Sequence, residues 1–109
     1  MVITIFRSRL KPEATEEYGD LAPRMSALAK TMPGYVSHKV FIAEDGERLT
    51  LVEFESDEAQ RNWSTNVQHV EAKKKGRKDL YAEYKLQICK VERETSFKAE
   101  AKSGATTRA

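Results

Sequence analysis

The order of patterned segments along the chain is strand, helix, strand, strand, helix, strand. It predicts an α+β domain of the split βαβ, ferredoxin-like type (βαββαβ), an antiparallel sheet with its helices on one face. Three observations carry this expectation. Four segments, at 2–9, 35–43, 48–55 and 81–93, are rich in β-branched and aromatic residues with two-residue alternation. Residues 12–32 carry a one-sided apolar stripe at helical spacing, and Asp45-Gly46 joins the two middle strands as a hairpin. At 109 residues the chain is one domain's worth, and 39% apolar against 33% charged residues suffices for a core rather than a disordered coil.

In the first strand Val2, Thr4, Phe6 and Ser8 share one face and Ile3 and Ile5 the other. Pro12, followed by Glu13, Glu16 and Glu17, marks a helix start, since proline lacks only a donor that would be unpaired there and carboxylates suit the positive helix end. The stripe Ala14, Tyr18, Leu21, Ala22, Met25, Leu28, Ala29, Met32 continues it. Pro23 inside the stripe predicts a kink, and Met32-Pro33-Gly34 a stop. The second strand sets Val36, His38, Val40 and Ile42 against Tyr35, Ser37, Lys39 and Phe41. Ser56 and Asp57 can cap a helix through Trp63, and a further helical stretch runs from Val67 to Lys78 after a break near Ser64-Thr65-Asn66. The last strand points Tyr84, Leu86 and Ile88 one way and Lys85, Gln87, Cys89 and Val91 the other. Residues 1–93 thus read as the folded domain, and 94–109 as a polar C-terminal tail or an arm embracing a partner subunit.

A net charge of +2 is too small to call for a polyanion. The one basic run, Lys73-Lys74-Lys75-Gly76-Arg77-Lys78, has no aromatic residue to stack on bases and suits a helix C-terminus, so no nucleic acid is expected. No apolar segment reaches membrane-spanning length, and a single cysteine, Cys89, fits a reducing cytoplasmic setting. His38 and His69 are the only histidines and have no ligand-spaced companions, so no metal site is expected. The second sheet face must carry Tyr35, Phe41, Leu49, Leu51 or Val91 beside Lys39, Glu53 and Gln87. So apolar a surface predicts a two-fold homodimer with its sheets face to face.

The stretch from Trp63 through Asn66, His69, Lys73, Gly76, Arg77, Tyr81 and Tyr84 to Cys89 resembles the helix-to-last-strand signature of the antibiotic biosynthesis monooxygenase (ABM) family. Phe6-Arg7-Ser8-Arg9-Leu10, Met32-Pro33-Gly34-Tyr35 and Glu53-Phe54-Glu55 add to the likeness, which covers residues 1 to about 93. The resemblance implies a dimeric α+β barrel with a cavity in each subunit between helices and sheet. It also implies a monooxygenase that uses molecular oxygen without a cofactor on a small aromatic, phenolic or quinol substrate. A haem-degrading branch exists, with an asparagine on the first strand, a tryptophan on the second helical stretch and an iron-ligating histidine ten residues later. Those positions here are Ser8, Trp63 and Lys73, and a primary ammonium is no haem ligand at neutral pH, which disfavours that branch. Relatives often carry His-Pro-x-His where this chain has Asn66-Val67-Gln68-His69. That loss supports a second reading, a non-catalytic dimeric module that binds a small hydrophobic molecule.

On the oxygenase reading His69 is the candidate base, because an imidazole is mostly neutral at pH 7. Trp63 would stack the substrate ring and donate its indole N–H to a developing oxyanion. Ser8 joins them as a catalytic candidate. Asn66, Tyr84 and Phe6 are expected to contact substrate, and Arg77 to neutralise a peroxide or enolate. Each residue has a plainer reading beside this one. Trp63 fits core packing, His69 a helix-surface or hydrogen-bonded residue, His38 an interface or core residue, Arg77 a helix C-cap, and Tyr84 the core.

Overall fold

The computed structural model describes residues 1–100. Four strands, β1 (Val2–Leu10), β2 (Tyr35–Ile42), β3 (Arg48–Phe54) and β4 (Tyr81–Lys90), form one antiparallel sheet in the order β2-β3-β1-β4. Helices α1 (Thr15–Ala29), α2 (Asp57–Thr65) and α3 (Val67–Lys75) cover one face of it. This is the expected α+β, ferredoxin-like fold. The inward rows are Val2, Thr4, Phe6 and Ser8 on β1 and Arg48, Thr50, Val52 and Phe54 on β3, paired across the sheet. Ala29, Val52, Phe54, Ala59 and Trp63 make the buried core.

Pro12 opens a short 3-10 turn ahead of α1, and the helix continues through Pro23 without ending there. It stops at Ala29, three residues before the stripe does, in a turn that Gly34 closes at φ +82°. Gly34 is doubly constrained, because a Cβ there would lie 2.5 Å from the Cβ of Ala59 on α2. The β2–β3 connection is the five residues 43–47, closed by the Ala43 N–H donating to the Glu47 carbonyl at 2.8 Å, with Gly46 at φ +91°. Arg7 donates from two nitrogens to both Glu47 carboxylate oxygens at 2.9 Å, and Arg9 reaches Asp45 at 2.7 Å. These pairs tie the loop to β1, and hold both carboxyls below their usual range.

Two expectations are corrected. A bulge between Tyr35 and Ser37 adds one residue to β2, so Tyr35 pairs with Phe54 and packs on the core instead of sharing the open face with Ser37. Tyr84 is not core: β4 is an edge strand that the helices only partly cover, and Tyr84, Leu86 and Ile88 are 41%, 46% and 51% exposed.

Ser56 caps α2 by accepting the Ala59 N–H at 3.1 Å. The break falls at Asn66, whose extended backbone (φ −57°, ψ 131°) separates α2 from α3. The cationic run ends α3 as expected, with Lys75 bridging Glu17 at 2.9 Å and Asp79 at 2.8 Å. A π-helical turn, Gly76–Leu80, then leads into β4. Gly76 is needed there because a Cβ would meet the Tyr81 ring at 2.5 Å. Residues 91–100 have no regular structure, and Phe97 is 89% exposed. The remainder of the expected tail, 101–109, lies outside the described residues. Among the described residues no helix is long and apolar enough to cross a membrane.

Candidate active site

Between helices and sheet lies a cavity of about 450 Å³, within the range of small-molecule sites. Its floor follows the cross-strand register. His38, Val52 and Thr4 form one rung, Val40, Thr50, Phe6 and Leu86 the next, and Arg48 and Tyr84 lie on the third. The roof is the inner stripe of α1, with Tyr18, Leu21 and Met25 spaced by three and four residues and Tyr18, Ala22 and Ser26 by four, so that they share one broad helix face. Residues from α2 and α3 close one end.

At that end the Trp63 indole and the His69 imidazole stack with centroids 3.9 Å apart and planes at 11°. The break at Asn66 creates this pairing. Its side chain accepts the His69 backbone N–H at 3.1 Å, starting α3 so that its first turn folds back beneath the end of α2. His69 Nδ1 lies 3.0 Å from the Trp63 carbonyl. A carbonyl only accepts, so the neutral ring carries its proton on Nδ1 and presents an unprotonated Nε2. Burial pushes the His69 pKa below the ordinary histidine value; the Trp63 carbonyl opposes this and the charge of Lys73 reinforces it. The end therefore offers a neutral acceptor beside a buried indole, one face of which His69 covers. Lys73 donates to the Ser64 carbonyl at 2.8 Å and its hydroxyl at 3.4 Å, so its ammonium serves the end of α2.

The far end is aromatic. Phe6, Tyr18, Tyr81 and Tyr84 interlock, with centroids between 5.3 and 6.0 Å apart. Burial raises the Tyr81 pKa, keeping the phenol protonated. The Arg48 guanidinium sits 5.0 Å from the Tyr18 ring centroid, and its Nε is buried without a hydrogen-bond partner among the described residues. On the wall between the ends, the Ser26 hydroxyl meets His38 Nδ1 at 3.3 Å.

Of the residues singled out from the sequence, Trp63, His69, Phe6 and Tyr84 line this cavity. Ser8, Asn66 and Arg77 do not. Ser8 is buried under the sheet's end beside a smaller depression formed with Arg7, Glu47 and Lys85. Asn66 caps α3, and Arg77 is exposed on the π turn. Sequence reasoning passed over Arg48, Tyr18, Tyr81 and the Ser26–His38 pair. The row Arg48, Thr50, Val52, Phe54 shows its charge facing inward only once the register is known. Among the described residues no group of three His, Cys, Asp or Glu side chains is placed to hold a metal ion.

Comparison with known proteins accords with this geometry. The family model for antibiotic biosynthesis monooxygenase matches residues 1–75. An uncharacterized protein of Bacillus subtilis (strain 168), YqjZ, is 33% identical over 90 residues, 83% of this chain and 79% of that protein. Among solved structures, Rv0793 from Mycobacterium tuberculosis superposes with a TM-score of 0.77 at 18% identity, over 87% of this chain and 98% of its own. SnoaB, a cofactor-independent oxygenase from Streptomyces nogalater, gives 0.73 at 16% identity, over 85% and 94%. At such identities the structures speak for the fold.

Proposed function

The chain belongs to the antibiotic biosynthesis monooxygenase family, and from that premise we propose that it is a cofactor-independent monooxygenase acting on a small aromatic phenol or quinol, working as a homodimer in the cytoplasm. The observation that carries the proposal is His69: a neutral imidazole, depressed in pKa, stacked on Trp63, with Nε2 available at the wall of a largely apolar cavity.

The chemistry asks little of the protein. A substrate of the anthrone or hydroquinone type loses a proton to His69 Nε2, leaving an electron-rich anion shielded from water. The anion gives one electron to oxygen, and the two radicals combine at carbon as a peroxide. The imidazolium returns its proton to that peroxide, and loss of water leaves a carbonyl. For an anthrone the balance is one CH2 and one O2 to one C=O and one H2O, with no external reductant. Trp63 holds the ring by stacking, and the cations Arg48 and Lys73 favour the anionic stages in a wall that has no Asp or Glu among the described residues. Asn66 acts at one remove, by placing His69.

Oxygen uptake by the metal-free protein, with a panel of anthrones and hydroquinones, tests the proposal. Turnover above buffer is expected, with His69→Ala lowering kcat about 10²- to 10⁴-fold, the usual worth of a general base. Trp63→Phe should mainly raise KM. The residue Asn66, where relatives carry a histidine, favours the second reading, a dimeric module that binds a small hydrophobic ligand without turning it over. Tight binding without oxygen uptake for any substrate would establish that reading instead.

A further inference from the structure

We propose that Arg48 is the anion-recognition residue of this cavity and that its ligand is an aromatic acid, lying with its ring against Trp63 and its carboxylate on the guanidinium. The inference rests on the reading of this cavity as the substrate site, and it holds whether the bound molecule is oxidised or only held.

Four observations converge. First, among the described residues the cavity wall includes two cations, Arg48 and Lys73, and no Asp or Glu, in a chain whose 19 basic and 17 acidic residues nearly balance. A largely apolar wall whose charges are cations only attracts an anion. Second, the two cations differ. Lys73 spends two of its three donors on Ser64, whereas Arg48 makes no salt bridge among the described residues. A guanidinium on the cavity wall with no acidic partner is what a carboxylate would complete, and its planar fork matches a carboxylate at two points. Third, Arg48 is held rather than free, its guanidinium 5.0 Å from the Tyr18 ring centroid. The site is therefore organised before ligand arrives.

The fourth observation is separation. Val52 packs in the same cluster as Trp63, and Arg48 lies four residues before Val52 on β3, two rungs of the floor away. Four residues of strand span roughly 13 Å. A ligand that reaches from the Trp63 end to Arg48 then carries its hydroxyl and its carboxylate at opposite ends of a fused-ring or similarly long molecule.

The test compares 6-hydroxy-2-naphthoate with 2-naphthol, a pair differing by the distal carboxylate, using the full chain at pH 7. Binding is read by calorimetry and by the fluorescence of the chain's single tryptophan, Trp63. The naphthoate is expected to bind about ten- to hundredfold more tightly, the worth of a hydrogen bond to a charged group. Arg48→Gln should erase that preference while leaving the naphthol affinity within about threefold. Arg48→Lys should keep part of it, and Lys73→Met most of it. Equal affinity of the unmodified protein for the two compounds would overturn the proposal, with no variant required. So would a preference that survives Arg48→Gln or disappears in Lys73→Met. Because binding is read without oxygen consumption, these outcomes are distinct from a failure of the oxygenase reading, which shows as absent turnover whatever the affinities.

Discussion

His69 carries a pH dependence whose sign follows from its surroundings. Its folded pKa lies below the unfolded value of about 6.5, because burial penalises the imidazolium. Between the two values the unfolded chain binds more protons, so this residue's contribution to stability is complete above about pH 6.5 and is lost as pH falls through the folded pKa. We expect Tm to decline on acidification below pH 6.5, and His69→Gln to flatten that part of the curve, as measured by thermal melts across pH. If His69 is also the base, the acid limb of kcat/KM should have its midpoint below 6.5 and not above it. At this scale the sequence was half legible. Trp63 and His69 could be chosen because aromatic and imidazole groups announce their chemistry. Arg48 could not, because one charge among Thr50, Val52 and Phe54 reads as a strand end until the register shows which way it points. Ser8 and Asn66 misled for the converse reason: their side chains suit a pocket, but the chain turns one under the sheet's end and spends the other as a cap.

Elements were legible wherever the local pattern is closed within a few residues. The α1 stripe, the Ser56 cap and the Asp45-Gly46 turn fall where the residues say. The β2 bulge does not, since alternation read along one strand is blind to an extra residue that only the partner strand reveals, and everything before the insertion changes face. Glycines at the joints permit a quantitative check. Gly46, at φ +91° with nothing within 4 Å of the position an alanine methyl would take, should lose about 1–2 kcal/mol on replacement by alanine, the backbone term alone. Gly34 has a similar φ of +82° and in addition the Ala59 Cβ 2.5 Å away. Gly34→Ala should therefore cost about 2–4 kcal/mol, since overpacking adds to the backbone strain. Urea titration of the two variants gives the comparison; equal losses would mean that α2 yields freely at this contact. Asn66→Ala should cost about 1 kcal/mol for the lost cap. It should also weaken any activity more than stability, since the same bond positions His69.

Over the whole molecule, the face of the sheet away from the helices remains. Ile3 and Ile5 of β1, Leu49 and Leu51 of β3 and Phe41 of β2 lie on it in adjacent register, and Phe41 is 49% exposed. Polar residues frame them: Arg7 is engaged with Glu47, and the Ser37 hydroxyl donates to Glu53. An apolar centre with a satisfied polar rim is the anatomy of a subunit interface, and a sheet face is flat enough to cover the roughly 800 Å² per partner that a stable one needs. Such a face was legible in the sequence because any strand setting leaves apolar residues on both sides; the identity of its members was not, since Tyr35 had to be removed by the bulge and Ile3 and Ile5 added by register. The expected assembly is a two-fold dimer at micromolar concentration by light scattering or sedimentation. Leu51→Glu places a carboxylate at the centre of that face in both copies, at about 3 kcal/mol or more for each unpaired buried charge, and should yield monomers. Val67→Glu, on the outer helical surface where Val67 is 76% exposed, should leave the dimer intact. A monomeric parent protein would remove the dimer altogether, and a dimer indifferent to Leu51→Glu but split by Val67→Glu would move the interface from the sheet to the helices.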